Sequence, residues 1–319
     1  MDERLMMPQY TRLTTAERKQ LLEEIGRRYQ LTLREMAVFS RWGKSIETAV
    51  YDGAGSTFVF VPGAVVTLGW DGEDLAPEAR EQWADALAEF EMEISVEQFL
   101  NECTTPLRQA VIGPMLVEQY QQEIGWEAVS LDDERIAADP NYQAILAKLG
   151  KQQSIEYVRQ IRFERQEQGI VAAIYHEVTY DALEAQLAEK GFALPTADEW
   201  EYFCGGGCRT LFPWGDSLPD TLHLRYFEFE EQEDEPYTLE QPNFFGLVIG
   251  FDPYRREVLA GDRLRFKGGD GGANVCGGLG PLLGYLSCSP YFSAWDEEED
   301  KDKQLNGDYD FLRRIIRVA

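Results

Sequence analysis

Histidine is nearly absent: His176 and His223 are the only two in 319 residues. A three-histidine metal site therefore cannot be assembled within one chain. Cysteine is also scarce. Cys103, Cys204, Cys208, Cys276 and Cys288 make an odd set of five, too few for a disulfide framework at this length. No long apolar run occurs. The longest, from Phe58 to Trp70, is broken by Pro62, Gly63 and Gly69, too short to span a bilayer. The first residues, Met-Asp-Glu-Arg-Leu-Met-Met-Pro, lack an apolar signal core. The expectation is a soluble, cytoplasmic protein with reduced thiols and no membrane partner. Basic residues are outnumbered, 30 against 57 acidic ones, for a formal charge of −27. Such a field repels nucleic-acid backbones and anionic membranes. Solubility accounts for it, and so does a basic protein partner of an acidic inhibitor or immunity-type protein.

What is present suffices for a large core: 44% of the chain is apolar and 12% aromatic. Thr14 with Glu17 forms a capping box, and Leu21, Leu22, Ile25 and Tyr29 share one face of the helix it opens. Thr32 with Glu35 repeats the box pattern and predicts a second helix carrying Met36, Phe39 and Trp42 to Gly43. From Ser45 the pattern becomes extended, with strands over Ile46–Tyr51, Thr57–Val61 and Ala64–Trp70. Helices are expected over Pro77–Phe90, Ser95–Cys103 and Tyr180–Lys190, and also over Ile155–Phe163. Strands are expected over Arg108–Val117, Ile170–Ile174, Arg263–Lys267 and Phe311–Val318. Glu228–Glu235 and Asp296–Lys303 are acidic loops.

The most specific stretch runs from Gly191 to Asp216. Leu194-Pro195 ends an extended segment, because a residue before proline is pushed out of the helical region. Thr196 then caps a short helix, with Glu199 completing the box. Glycines 205–207 lead to Pro213-Trp214-Gly215. With Pro242–Leu247 (Pro-Asn-Phe-Phe-Gly-Leu), Lys267-Gly268-Gly269-Asp270 and the ending Phe311-Leu312-Arg313, this stretch resembles the formylglycine-generating enzyme (sulfatase-modifying factor) superfamily. Val59-Phe60-Val61-Pro62-Gly63 with Leu68-Gly69 is similar to its first strands. The resemblance covers about residues 57 to 319. It implies an α+β fold of the complex C-type-lectin-like kind, with small twisted sheets and much ordered loop. It also implies a bacterial-type protein with its main domain over residues 51–319, and residues 1–50, outside the resemblance, are expected as a helical pair packed on it.

The chain departs from the family where chemistry is expected. Family enzymes that oxidise a cysteine use a copper-binding cysteine pair after Gly-Gly-Ser. Here Cys276 and Cys288 follow, differently spaced, within Ala273-Asn274-Val275 and Gly277-Gly278 surroundings. The family's calcium-binding Gly-Asn-Val-Trp-Glu-Trp is replaced by Ile249–Tyr254. The iron-dependent branch needs more histidines than the chain has.

The leading expectation is accordingly a binding protein without catalysis, taking a protein or a small molecule. An alternative is a copper-dependent oxidoreductase acting on a cysteine or other thiol through Cys276 and Cys288. Those two residues otherwise serve as buried apolar fillers. The glycine-rich run Gly268–Gly284 lacks the Gly-Lys-Ser/Thr ending of a phosphate loop and suits tight turns. In the resembling fold the segment after Gly-Gly-Ser borders the functional cleft. Arg209, Asp270, Asn274, Cys276 and Cys288 are therefore the pocket candidates. Three further pairs invite site readings with plain structural alternatives: Cys204 with Cys208 as a metal or redox pair, His176 with Glu177 as an acid–base pair, and Asp252 with Glu257 as a cation site.

Overall fold

A computed structural model describes residues 2–72, 75–167, 169–219, 222–227, 237–293 and 301–319. The chain is mixed α and β, with N-terminal helices and small sheets. A short helix α1 (Gln9–Arg12) precedes α2 (Thr15–Arg28), which opens with the expected Thr14–Glu17 capping box. Next come β1 (Thr32–Arg41), β2 (Lys44–Gly53), β3 (Ser56–Val61) and β4 (Ala64–Leu68). Helices α3 (Pro77–Glu89) and α4 (Val96–Glu102) follow, then β5 (Arg108–Ile112), β6 (Met115–Glu118), β7 (Gln122–Glu123) and β8 (Trp126–Val129). Helices α5 (Glu134–Ala137) and α6 (Pro140–Leu149) lead into β9 (Ser154–Tyr157), β10 (Ile161–Gln166) and β11 (Gly169–Tyr175). Helices α7 (Tyr180–Glu189) and α8 (Ala197–Gly205) precede β12 (Arg256–Val258) and β13 (Phe266–Lys267). The last elements are α9 (Ala273–Cys276), α10 (Gly280–Tyr285), β14 (Asp310–Leu312) and β15 (Ile315–Arg317).

The second helix expected near the N-terminus does not form. Residues Thr32–Arg41 are strand β1, paired antiparallel with β2. Trp42 and Gly43 both take positive φ (49° and 74°) between these strands, the combination of a tight hairpin turn. The Thr32–Glu35 spacing was a local coincidence outweighed by cross-strand pairing. The expected boundary at residue 50 falls inside β2, which joins the five-stranded sheet β1-β2-β3-β6-β15. The helix expected over Ile155–Phe163 is likewise a hairpin, β9 to β10. Arg159 at φ 51° and the Gln160 N–H donating to the Tyr157 carbonyl turn the chain there.

Two expected strands are reduced. Arg263–Lys267 shortens to β13, and Phe311–Val318 divides into β14 and β15, which serve different sheets. Arg108–Val117 divides around Pro114 into β5 and β6. The acidic loop at 228–235 and residues 296–300 of the next one lie outside the described residues.

The main core lies between the five-stranded sheet, α2 and α8. It unites Leu22, Tyr51, Phe58, Phe60, Val117, Trp200, Phe203, Phe245 and Ile315. A second cluster joins α3 and α4 to the 283–291 segment through Trp83, Leu87, Phe99, Leu100, Leu286 and Tyr291. The four-stranded sheet β8-β11-β10-β9 and α6 share a separate small cluster including Ile145, Phe163 and Ile174. No helix among the described residues is long and apolar enough to cross a membrane.

Candidate functional site

Helix α8 positions the site. Thr196 accepts from the Glu199 N–H and Glu199 accepts from the Thr196 N–H, so the capping box is complete. Gly206 closes the helix in the left-handed conformation. Asn243, fully buried, donates to the Phe203 carbonyl at 2.8 Å and accepts from the N–H groups of Phe245 and Leu247. The Pro242–Leu247 turn is thereby fixed to the end of α8. Glu201, also fully buried, receives Lys267 at 2.8 Å and Arg108 at 2.8 Å.

Lys267 spends its three protons on Glu201 and on the carbonyls of Pro290 (2.9 Å) and Phe292 (2.9 Å). Burial pulls the Lys267 ammonium below its ordinary pKa, and the Glu201 carboxylate opposes that pull. The lysine thus ties α8 to residues 290–292. Those residues are tied in turn to the end of α4: Thr105 N–H donates to the Tyr291 carbonyl, and Ser293 N–H to the Cys103 carbonyl, each at 2.8 Å.

Between these segments lies a cavity of about 400 Å³. Met92, Ile94, Phe99 and Cys103 form one wall; Leu279, Leu283, Leu286 and Phe292 form the other. Asp270, Ala273, Asn274 and Ser293 supply the rest of the lining. Gly272, at φ 80°, allows the turn into α9, since a Cβ there would meet the Tyr254 ring at 2.3 Å. Asp270 accepts from the N–H of Gly272 at 2.9 Å and from that of Asn274 at 3.2 Å. Burial pushes its carboxyl above the ordinary range, opposed by those backbone amides. Asn274 donates from Nδ2 to the Leu283 carbonyl at 3.2 Å, linking α9 to α10.

Of the five pocket candidates, Asp270 and Asn274 therefore line the cavity. Arg209 does not: it donates to the Gly69 carbonyl at 2.9 Å and faces Asp71. Cys276 is exposed, with Sγ 3.1 Å from the Tyr254 hydroxyl. Cys288 is fully buried in the main core, where burial first and nearby acidic charge second push its thiol well above the ordinary value. Both cysteines are free thiols, and they occupy different environments. Cu(I) would need two thiolates at one place; a buried thiol held protonated is poorly suited to that role.

The other paired readings change more sharply. Cys204 is fully buried and Cys208 half-buried beside the Tyr291 hydroxyl; burial raises both thiols above their ordinary range. His176 faces Glu127 at 2.8 Å rather than Glu177. Asp252 is committed to Arg225, to the Tyr226 hydroxyl and to the Tyr254 N–H, while Glu257 is committed to Arg313. They do not form a cation site, and Asp252 is not free to serve calcium. Among the described residues, no group of three or more His, Cys, Asp or Glu side chains is placed to hold a metal ion.

The wall from Met92 to Cys103 had no signal as part of a site. Its residues read as ordinary helix-face positions, and only the fold sets them opposite the glycine-rich run. Set against known proteins, the chain matches no family model, and no curated protein matches it either.

Proposed function

We propose that the protein is a small-molecule-binding member of the formylglycine-generating-enzyme-like superfamily, built on a lectin-like scaffold without the family's cysteine chemistry. The observation that carries this reading is the position of the cavity. It opens beside Asp270 and Asn274, directly after Lys267-Gly268-Gly269, where the resembling fold borders its functional cleft. The scaffold motif supports it as well. The capped helix with buried Trp200 and the turn at Asn243 occupy the core as a structural signature would. A cavity of this size suits a drug-sized or smaller ligand, and an apolar lining with few polar groups is the usual character of such sites. The unpaired thiols accord with a reduced, cytoplasmic setting.

The copper-dependent alternative gains no support from the separate environments of Cys276 and Cys288. The test is direct titration with octanol, a neutral apolar probe, followed by calorimetry. One molecule is expected to bind per chain. Ala273→Trp, which places an indole in the lining from an exposed position, is expected to abolish binding without lowering the melting temperature. Unchanged octanol binding in that variant would move the site elsewhere.

A further inference from the structure

Among the described residues, the cavity lining holds one charged group. Nine of the lining side chains are apolar or a buried thiol: Ala273, Met92, Ile94, Phe99, Cys103 and, opposite, Leu279, Leu283, Leu286 and Phe292. Burial holds the Cys103 thiol protonated, with its pKa raised to about 12. Asp270 is the exception. Its partners are backbone amides, those of Gly272 and Asn274. Among the described residues, no lysine, arginine or histidine forms an ion pair with it, although ion pairs are frequent elsewhere in the molecule. Arg256, close to Gly271, pairs with Asp310 at 2.7 Å. The positions outside the described residues are Met1, Glu73, Asp74, Gln168, Asp220, Thr221, 228–236 and 294–300, and their sequence contains no basic side chain.

Asp270 itself is half-buried, and among the described residues the more deeply buried carboxylates are paired with a cation. Glu257 has Arg313, Glu201 has Lys267, Glu118 has Arg314, Asp252 has Arg225 and Asp310 has Arg256. A carboxylate taken out of water without a counter-charge is costly, and a cation within contact distance reverses that cost. A half-buried carboxylate that lines an apolar cavity, held by backbone amides and without a cation, suits a charge supplied by something else.

Resting on the proposed binding role of this cavity, we infer that its ligand is a protonated amine carried on an apolar body, with the ammonium beside Asp270 and the hydrocarbon between Phe99, Leu283 and Phe292. Backbone amides fix the carboxylate at the cavity's edge, so the ligand does not have to order it. Asn274 stays engaged with the Leu283 carbonyl and keeps α9 and α10 in place as the wall of the site. The apolar lining supplies affinity for any hydrophobic body of suitable size. The carboxylate supplies the choice of head group: it favours an ammonium, is indifferent to a hydroxyl and disfavours a second carboxylate. A neutral apolar ligand would leave Asp270 desolvated and unpaired. An anionic one would add repulsion to that penalty.

The test uses the full chain with three probes that share one tail: octylamine, octanol and octanoate. Their affinities are measured by calorimetry at neutral pH and fixed ionic strength for the wild type, Asp270→Asn and Ala273→Trp. A charge-assisted hydrogen bond contributes about 1.5–3 kcal/mol, so octylamine is expected to bind the wild type roughly ten- to a hundredfold more tightly than octanol. Octanoate is expected to bind more weakly than both. In Asp270→Asn the amine preference should disappear while octanol affinity is retained.

Equal affinity for octylamine and octanol in the wild type overturns the amine assignment and leaves the cavity reading standing. Failure of all three probes to bind the wild type overturns both. Retention of amine preference in Asp270→Asn also overturns the assignment, since another group would then be reading the charge. The wild-type comparison is decisive by itself if the substitution at Asp270, which also braces the turn into α9, prevents folding.

Discussion

Arg313 shows how this chain handles a buried charge when no ligand is involved. Its guanidinium has no exposed surface. The five N–H groups are all used: two on Glu257 at 2.9 and 2.7 Å, and three on the carbonyls of Glu118, Gln119 and Val248 at 2.8, 2.9 and 3.0 Å. Trp200 Nε1 donates to the same Glu257 carboxylate at 3.1 Å, so the ion pair is joined to the signature helix. Removing one partner leaves the other desolvated and alone. Arg313→Met should therefore lower stability by about 3–5 kcal/mol, read as a fall in the urea midpoint at constant slope. Arg313→Lys should recover only part of that loss, because an ammonium has three protons and no planar fork to meet these acceptors. Glu257→Leu combined with Arg313→Met should lose less than the single arginine variant, since no unpaired charge remains. A double variant worse than both singles would mean that the pair supplies stability beyond mutual neutralisation. Asp270 differs from Glu257 in being half-buried and in having no arginine beside its carboxylate.

At the scale of elements, the hairpin β1–β2 turns at two residues whose backbone is left-handed, Trp42 and Gly43. Glycine adopts that region freely, and a side chain there costs about 1–2 kcal/mol. Gly43→Val should destabilise the protein by that order in thermal or chemical denaturation. Gly43→Asn should cost less, because asparagine tolerates the region. A negligible effect from valine would show that the hairpin turn is free to relax. The same hairpin marks the limit of what could be read from the chain. Helices α2, α7 and α8 were legible because their signals are local: an apolar face in each, and in α2 and α8 a cap with its box partner three residues on. Thr32–Arg41 was not. Strand β1 lies at a sheet edge with no fully buried position, a register shift between Leu33 and Glu35 breaks its alternation, and the Thr32–Glu35 spacing imitates a capping box. For Ile155–Phe163 the turn depends on Arg159 at positive φ, where the sequence offers neither glycine nor asparagine. The site was half legible for a related reason. Asp270 and Asn274 sit in a glycine-rich run that draws notice, whereas Met92, Ile94 and Phe99 become a cavity wall only through the long-range bridge of Thr104 to Phe292.

For the whole molecule, the excess of acid decides how stability responds to salt. If every one of the 30 lysines and arginines were paired with one of the 57 acids, 57 − 30 = 27 carboxylates would still lack a partner. Two salt effects oppose each other. Added salt weakens exposed attractive pairs such as Arg34 with Asp52 and Arg135 with Glu127, whose contribution is small because they sit in open solvent. It also screens the repulsion among the unpaired acids, which favours the compact state. The buried pairs at Glu257, Glu201 and Glu118 are scarcely screened and do not enter the balance. Moving from roughly 0.01 M to roughly 0.15 M sodium chloride shortens the screening length from about 30 Å to about 8 Å, so repulsion across the molecule is lost before contact pairs are. The melting temperature should consequently rise. Each kcal/mol gained corresponds to roughly 2–4 °C for a chain somewhat shorter than this one. Chloride is the salt to use, because sulfate stabilises folded proteins by exclusion from their surface and would mimic the effect. A melting temperature that falls over this range would mean that the surface pairs, not the unpaired acids, dominate the electrostatics. Wild-type octylamine binding measured in the same series should weaken, because salt also screens the attraction between the ammonium and the excess acid.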